Sequence, residues 1–228
     1  MPWAPTILQQ FEVADQDSTN ISQYCGPYNT FLTDPFPHTE GFQVAPAFKA
    51  PMTPDSIDFT TRFIIRRYRA IELPVFFFDV KPALHTDDIS TRKKADEQIR
   101  EYFESIVGQN LVIPKLYGIS AIGTRFSVYN YDKATGILSP PSSSRDSMQL
   151  VDVAPVNQWN FDLLEKTGEE KFKEIVAEVK VMCEAVTAYS STHLIQYFAE
   201  ASKWIDPKGS SMRTLPYGSW ISTTRLYS

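Results

Sequence analysis

Apolar residues change their spacing several times along the chain, and each change predicts a different structural element. Alternating or continuous apolar runs predict strands, whereas apolar residues three and four positions apart predict helices. Residues 75–78 (VFFF) form an uninterrupted apolar run, which is typical of a strand buried on both faces. The predicted order is a helix over 18–32, strands over 42–48, 57–68 and 71–80, a helix over 90–107, strands over 111–122 and 124–131, and a helix over 171–187.

This order places a group of strands before a helix that crosses over to further strands. Such an arrangement predicts a mixed central sheet flanked by helices, so the expected fold class is α/β. We expect an N-terminal arm at 1–17 and one α/β domain over 18–190. A C-terminal extension over 191–228 is expected to pack on the domain or on a partner, because it carries aromatic residues but little regular pattern.

The composition is that of a folded protein with enough apolar residues for a core. The chain has 228 residues, of which 43% are hydrophobic and 21% are charged, close to the average for globular proteins. Its formal net charge of −5 argues against a protein that coats nucleic acid through its overall field. A nuclease that binds its substrate locally through acidic metal ligands remains compatible with this charge.

The cysteine content and the N-terminus bear on the cellular location. Two cysteines, Cys25 and Cys183, do not form a disulfide framework, and with three histidines no zinc-binding spacing occurs. One disulfide or two free thiols would fit, and free thiols fit a reducing compartment better. We find neither a signal-peptide pattern nor an apolar run of the roughly 18 residues that a membrane helix needs. We therefore expect an intracellular protein of the cytoplasm or nucleus, without a membrane partner.

Of the acid-x-lysine tripeptides in the chain, one ends an apolar strand. Asp79 and Lys81 are two residues apart on that predicted strand, so their side chains are expected on the same face. The alternative is that both residues mark the exit of the strand into solvent, with Pro82 ending it. The other matches lie on the late helix or in the tail: Glu169-x-Lys171, Glu178-x-Lys180 and Asp206-x-Lys208.

Two further acids, at or just before the start of the strand predicted at 57–68, are alternatives for one position. If this strand forms a hairpin with 71–80, an acid at its start lies close to Asp79. Asp58 leads directly into the strand, whereas Asp55 follows Pro54 and also suits a turn. Two carboxylates in one pocket repel each other unless a cation lies between them, and oxygen-rich sites suit Mg²⁺ or Mn²⁺. The pattern therefore favours a divalent-metal site at Asp58 and Asp79, with Asp55 as a weaker candidate.

The order of elements over about residues 18–132 resembles the αβββαβ core of the PD-(D/E)XK nuclease superfamily, which includes restriction-endonuclease-like and RecB-like enzymes. The chain matches its motif with Asp55 or Asp58, with Asp79-Val80-Lys81, and with Gln98-x-x-x-Tyr102. The resemblance implies that Asp58, Asp79 and the carbonyl of Val80 bind the metal. It also implies that Lys81 serves the transition state and that Gln98 and Tyr102 position the site. Tyr102 equally fits the apolar stripe of its helix.

The implied activity is divalent-metal-dependent hydrolysis of phosphodiester bonds in DNA or RNA. A homodimer would fit the resemblance, because many such enzymes pair to cut both strands, but the sequence leaves the oligomeric state open. His85 is a further candidate for the cleft, or a loop residue. Basic residues near the motif would contact phosphates or form a solvated surface: Arg62, Arg66, Arg67, Arg69, Arg92, Lys93 and Lys94.

The alternative is a catalytically inactive nuclease-fold protein that acts as an interaction or binding module. The family often has an acid on its first helix, and the segment 18–32 has none, which favours this alternative. The chain is also similar to uncharacterised fungal proteins that share the segments GPYN, LYGISA and D-x-A-P, found here at 26–29, 116–121 and 152–155. That similarity implies no activity.

Overall fold

The chain divides into two units, residues 1–187 and 188–228. Of the second unit, the structure describes only helical backbone, up to residue 202. No helix in the described part of the chain is long and apolar enough to cross a membrane. The computed structural model describes residues 3–14, 21–49, 60–67, 71–85, 88–109, 111–142 and 154–202, with side chains described throughout except at 48–49, 60, 71–73, 85 and 187–202.

A seven-stranded sheet forms the centre of the first unit. The strands have the bounds β1 Phe42–Lys49, β2 Thr60–Arg67, β3 Ile71–Lys81, β4 Lys115–Ile122, β5 Arg125–Asp132, β6 Ile137–Ser139 and β7 Phe161–Asp162. The first six strands lie in chain order across the sheet, and β7 pairs with β5. Neighbours are antiparallel except β3 and β4, which are parallel. The expected mixed sheet is therefore confirmed.

The helices pack on both faces of this sheet, so the expected α/β class is also confirmed. Their bounds are α1 Pro5–Val13, α2 Ser22–Thr33, α3 Ile89–Val107 and α4 Lys166–Ser202. Helix α3 makes the crossover between the parallel strands β3 and β4, because parallel neighbours cannot be joined by a tight turn. It covers one face, and α2 and the first part of α4 cover the other.

The two faces of the sheet are distinguished by alternate side chains of β3. The Phe77 ring contacts Tyr102 and Phe103 on α3, with ring centroids 4.7 and 4.8 Å apart. Its neighbour Phe78 contacts Tyr28 on α2 at 5.0 Å on the opposite face. The apolar run 75–78 is fully buried, so the expected strand with two buried faces is confirmed. A helix on each side explains why this strand lacks polar alternation.

The described part of the expected N-terminal arm, residues 3–14, contains a helix that packs on the core. Helix α1 begins with Pro5, which is favoured in a first turn because its missing N–H has no helical partner there. Ile7 and Phe11, one turn apart, are buried in the main core. Trp3 is buried as well, and its indole Nε1 donates a hydrogen bond of 2.8 Å to the carbonyl of Leu163. This segment is therefore part of the core.

Both cysteines are free thiols, as the composition favoured. Cys183 is buried on α4, and this burial raises its pKa to about 11. Since the thiolate is the reactive form of cysteine, the Cys183 side chain behaves as a small apolar core residue.

Candidate active site

Asp79 and Lys81 lie at the end of β3 and are both buried, with each residue only 4% exposed. The alternative that placed them at an exit into solvent is therefore wrong. The physical reason is the position of β3 between β2 and β4, with α3 above the end of the strand. Burial of charged side chains is costly unless they are paired, so this end of β3 requires nearby polar partners.

Polar side chains form a row across four neighbouring strands at the level of Asp79. Arg62 on β2 lies opposite Asp79, and Asp79 lies beside Ser120 on β4, which lies opposite Ser127 on β5. Asp79, Ser120 and Ser127 are all buried. Because residues paired across strands share a face, this polar row lies on the face that α3 covers. We call the row, together with Lys81, the β3 polar cluster.

The Asp79 carboxylate is held by a bidentate ion pair with Arg62. The guanidinium Nε donates to Oδ1 and Nη2 donates to Oδ2, both at 2.5 Å. Tyr102 covers this guanidinium, whose central carbon lies 3.7 Å from the centroid of the tyrosine ring. The side chains of Arg62 and Asp79 are only 16% and 6% exposed, so the pair is shielded from water. This geometry combines a charge-assisted pair with a cation–π contact.

Helix α3 is amphipathic, and its buried side covers the β3 polar cluster. Asp88 caps its N-terminus by accepting a hydrogen bond from the Ser90 backbone N–H, and the buried stripe continues into the core through Ile99 and Phe103.

Gln98 and Tyr102, one turn apart, lie on one side of the helix and are half-buried. Burial raises the pKa of Tyr102, which therefore stays neutral beside Arg62. Tyr102 also packs against Phe77, so it fits the apolar stripe of its helix, and its role in positioning a site stays a prediction.

A second polar network lies on the same helix, and sequence reasoning missed it. Asp96 accepts two hydrogen bonds from Arg100, at 2.8 and 2.9 Å, and a third from the Tyr129 hydroxyl at 2.8 Å. Gln158 donates to the Tyr129 oxygen at 2.6 Å. Burial and the adjacent Asp96 charge raise the pKa of Tyr129. The spacing of Asp96 and Arg100 was visible in the sequence, but the partners on β5 and beyond were not.

Several predicted site residues lie where the structure gives no side-chain position. Asp55 and Asp58 are outside the described residues, and β2 is described from Thr60 onward. His85 ends a short 3₁₀ turn, Ala83–His85, but its side chain is also outside the described part. Val80 is fully buried and lies in register between Thr61 and Ala121. The metal-binding roles of Asp55, Asp58 and Val80 and the role of His85 therefore stay predictions.

The described residues alone do not fit a divalent cation. Within the described ranges, no three Asp, Glu, His or Cys side chains gather into a group that would hold a metal ion. Asp79 is the carboxylate of the β3 polar cluster, and Arg62 occupies both of its oxygens. Mg²⁺ and Mn²⁺ bind several oxygen ligands at once, and a single carboxylate that is already paired with a guanidinium does not supply them. A metal site here would therefore need a further ligand, which the resemblance expects at Asp58.

The acid-x-lysine pairs of α4 have different surroundings. Lys171 pairs with Glu174 at 3.0 Å near the surface of α4, and Lys173 pairs with Glu169. Glu178 accepts hydrogen bonds from Lys115 at 2.7 Å and from the Tyr117 hydroxyl at 2.6 Å. These are helix-surface and helix-to-sheet ion pairs, so Lys171 provides a matched control for Lys81.

Comparison with known proteins assigns no family to the chain. No protein-family model matches it, and searches of curated proteins and of solved structures find no significant match. The geometry of the β3 polar cluster and the sequence resemblance are therefore the basis for a functional inference.

Proposed function

We propose that the β3 polar cluster is the centre of a nuclease-like site for phosphodiester bonds of nucleic acid. The observation that carries the proposal is the burial of Asp79 and Lys81 side by side beneath α3. Two charges on a central strand cost free energy in a purely structural role, because apolar residues of similar size would fill the same space. Buried charged clusters of this kind are concentrated at functional sites.

The order of the elements gives further support. Helix α2 is followed by the antiparallel strands β1, β2 and β3, by the crossover helix α3, and by β4 parallel to β3. This is the order expected for an αβββαβ restriction-endonuclease-like core. Tyr102 packs on the guanidinium that pairs with Asp79, so these two motif residues reach the same site, as the resemblance expects.

The charged residues of the cluster and two residues of α3 have separate roles in the proposed site. The Lys81 ammonium would stabilise negative charge that develops on the phosphate during attack by water. Arg62 orients the Asp79 carboxylate, and the Tyr102 ring packs on the Arg62 guanidinium. Gln98 would position substrate from the same side of α3 as Tyr102. Asp58 and the carbonyl of Val80 complete the site as the resemblance implies, and Mg²⁺ or Mn²⁺ would supply Lewis-acid chemistry when bound.

The proposal also concerns the nucleic-acid substrate, the oligomeric state and the cellular compartment of the protein. DNA or RNA would be the substrate, and a homodimer would allow both strands of a duplex to be cut. Two free thiols fit a reducing compartment such as the cytoplasm or nucleus.

A second candidate function is a non-catalytic binding module on the same scaffold. The observation that favours it is the Arg62–Asp79 ion pair, which occupies the carboxylate that a catalytic metal would use. Under this alternative, the cluster stabilises the packing of β2, β3 and α3 against one another. The protein would then show no hydrolytic activity with any nucleic acid.

Replacing Lys81 with alanine tests the proposed role. We expect the rate of cleavage to fall by about 100-fold or more, as when one group that stabilises transition-state charge is removed. The measurement is cleavage of plasmid DNA, single-stranded DNA and RNA in Mg²⁺ or Mn²⁺, with EDTA as the metal-free arm. Thermal unfolding of the variant establishes that it remains folded.

The matched control is Lys171→Ala, which removes a lysine of the same tripeptide pattern from the surface of α4. It should leave the rate unchanged. A Lys81→Ala variant that cuts as fast as the wild type would remove Lys81 from the mechanism. A wild-type protein that cuts none of the three substrates would favour the binding module.

A further inference from the structure

The basic residues near the motif differ in whether their guanidinium groups already have partners. Arg62 pairs with Asp79. Arg92 is buried, and its Nε donates a hydrogen bond of 2.9 Å to the carbonyl of Ala154. Arg66, near the other end of β2, is half-buried but makes no hydrogen bond or ion pair in the part of the chain that the structure describes. Its N–H donors are therefore available to a ligand.

Arg66 lies on the face of the sheet that carries the β3 polar cluster. It follows Arg62 by four residues on β2, whose register with β1 is regular, so strand alternation places both side chains on one face. Their Cα atoms are about 13 Å apart along the strand. The next residue, Arg67, lies on the opposite face, where its guanidinium carbon is 5.2 Å from the centroid of the Phe42 ring.

Tyr102 brings a second donor to the same face from α3. Its ring packs on the Arg62 guanidinium, and its hydroxyl has no hydrogen-bond partner among the described residues. Burial raises the pKa of Tyr102, and the positive charges of Arg62 and Arg66 oppose this rise. Both arginines are thus within electrostatic reach of the phenol, which stays neutral and can donate its proton in a hydrogen bond.

We propose that the Arg66 guanidinium and the Tyr102 hydroxyl form a phosphate-binding subsite that holds a nucleic-acid strand beside the β3 polar cluster. The proposed function supplies the identity of the strand, and the inference rests on it to that extent. The two donors supply the ligand class, because the planar fork of arginine matches phosphate oxygens and a phenol can donate to another oxygen of the same group. Since Arg62 and Asp79 neutralise each other, Arg66 attracts an anion to this place.

The phosphate held by Arg66 is a neighbour of the one that reacts. Lys81 would stabilise the reacting phosphate, whereas Arg66 contacts the strand only to bind it. Phosphate contacts fix the position of a strand without reading its sequence. The subsite should therefore contribute to affinity for single-stranded nucleic acid of any sequence, and this affinity should depend on salt.

The test is the binding of a fluorescein-labelled oligothymidylate, measured by fluorescence anisotropy in EDTA at several NaCl concentrations. Arg66→Gln should raise the dissociation constant by about tenfold, as expected when hydrogen bonds to a charged group are lost. It should also reduce the slope of log affinity against log salt by about 0.7, the value for one phosphate contact on a single strand. Tyr102→Phe keeps the ring, so it should raise the dissociation constant by about fivefold without changing the slope.

Arg67→Gln is the matched control, because it removes the same charge from the adjacent position on the opposite face. It should change neither the affinity nor the salt slope, and Arg66→Lys, which keeps the charge, should retain the slope. Thermal unfolding establishes that each variant is folded. No binding by the wild type, equal binding by Arg66→Gln, or an equal loss in Arg67→Gln would each overturn the inference. If Arg66→Gln does not fold, unchanged affinity in Tyr102→Phe contradicts it.

The outcomes separate this inference from the proposed nuclease function. An oligonucleotide that binds through Arg66 but is never cut in Mg²⁺ or Mn²⁺ would support the subsite and oppose the nuclease. Cleavage by the wild type, together with unchanged binding by Arg66→Gln, would support the nuclease and oppose the subsite. If both are correct, Arg66→Gln should raise KM and leave kcat unchanged, since it removes binding that the ground state and the transition state share.

Discussion

Replacing Arg62 with methionine is expected to lower the free energy of unfolding by about 3 kcal/mol, because the Asp79 carboxylate is left buried without its partner. Asp79→Leu should cost a similar amount by leaving the guanidinium unpaired. The double variant should recover most of this loss, since replacing both members of a buried ion pair by apolar groups is often neutral. Urea unfolding of the four proteins measures the coupling free energy directly.

An exposed ion pair on α4 provides the control for this cycle. Lys166 and Glu170 lie 3.7 Å apart with side chains 86% and 66% exposed. Lys166→Met should change the free energy of unfolding by no more than about 0.5 kcal/mol, since water screens such pairs. An Arg62→Met variant as stable as Lys166→Met, or additive losses in the double variant, would contradict the picture of a shielded and coupled pair.

The second large effect is expected on the opposite face of the sheet. Phe172 of α4 is fully buried, and its ring contacts those of Phe31, Trp3 and Phe78 with centroids 4.6, 5.9 and 6.2 Å apart. It therefore joins α4 to the segment before α1, to α2 and to β3. Phe172→Ala should lower the free energy of unfolding by about 3–5 kcal/mol, through lost burial and the cavity left behind.

Urea unfolding again provides the measurement, with Val181→Ala as the control on the same helix. Val181 is mostly exposed, so its truncation should have an effect within about 0.5 kcal/mol. Phe172→Leu should cost less than Phe172→Ala, because it keeps more of the side-chain volume. A loss from Phe172→Ala no larger than that from Val181→Ala would show that these aromatic contacts do not hold the core together.

The order of the longer strands and of the crossover helix could be predicted, because their apolar residues follow the spacing of strands and of a helix. The run 75–78 is long and apolar, and the stripe of α3 has clear helical spacing. Helix α1 was missed although Ile7 and Phe11 have helical spacing, because the segment is short and isolated in the sequence. The strands β6 and β7 have three and two residues, too few for a periodic signal.

The Arg62–Asp79 pair could not be predicted because it depends on an irregular register between β2 and β3. At the end of β2, Arg67 lies opposite Ile71, whereas Ile65 lies opposite Phe76. Five steps along β3 therefore correspond to two steps along β2, and no pattern in the sequence indicates this shift. A regular hairpin extended from the Arg67–Ile71 pair would place Phe76, and not Asp79, opposite Arg62. The partner of the motif acid thus became visible only in the folded chain.

It was predictable that Asp79 and Lys81 share one face of the strand, but their burial was not. Strand alternation places both side chains on one face. Burial depends on the neighbours β2 and β4 and on the position of α3, which come together only through the topology. The surroundings of the motif, more than its spacing, distinguish Asp79-x-Lys81 from the similar tripeptides on α4.

The central claim is that Asp79 belongs to a site that cuts nucleic acid, and the rate of cleavage of a labelled single-stranded oligonucleotide in Mn²⁺ tests it most directly. The account predicts cleavage by the wild type that EDTA abolishes and that Asp79→Asn slows by about 100-fold or more, while Glu169→Gln on α4 leaves it unchanged. Equal rates in the wild type and in a folded Asp79→Asn variant would contradict the account.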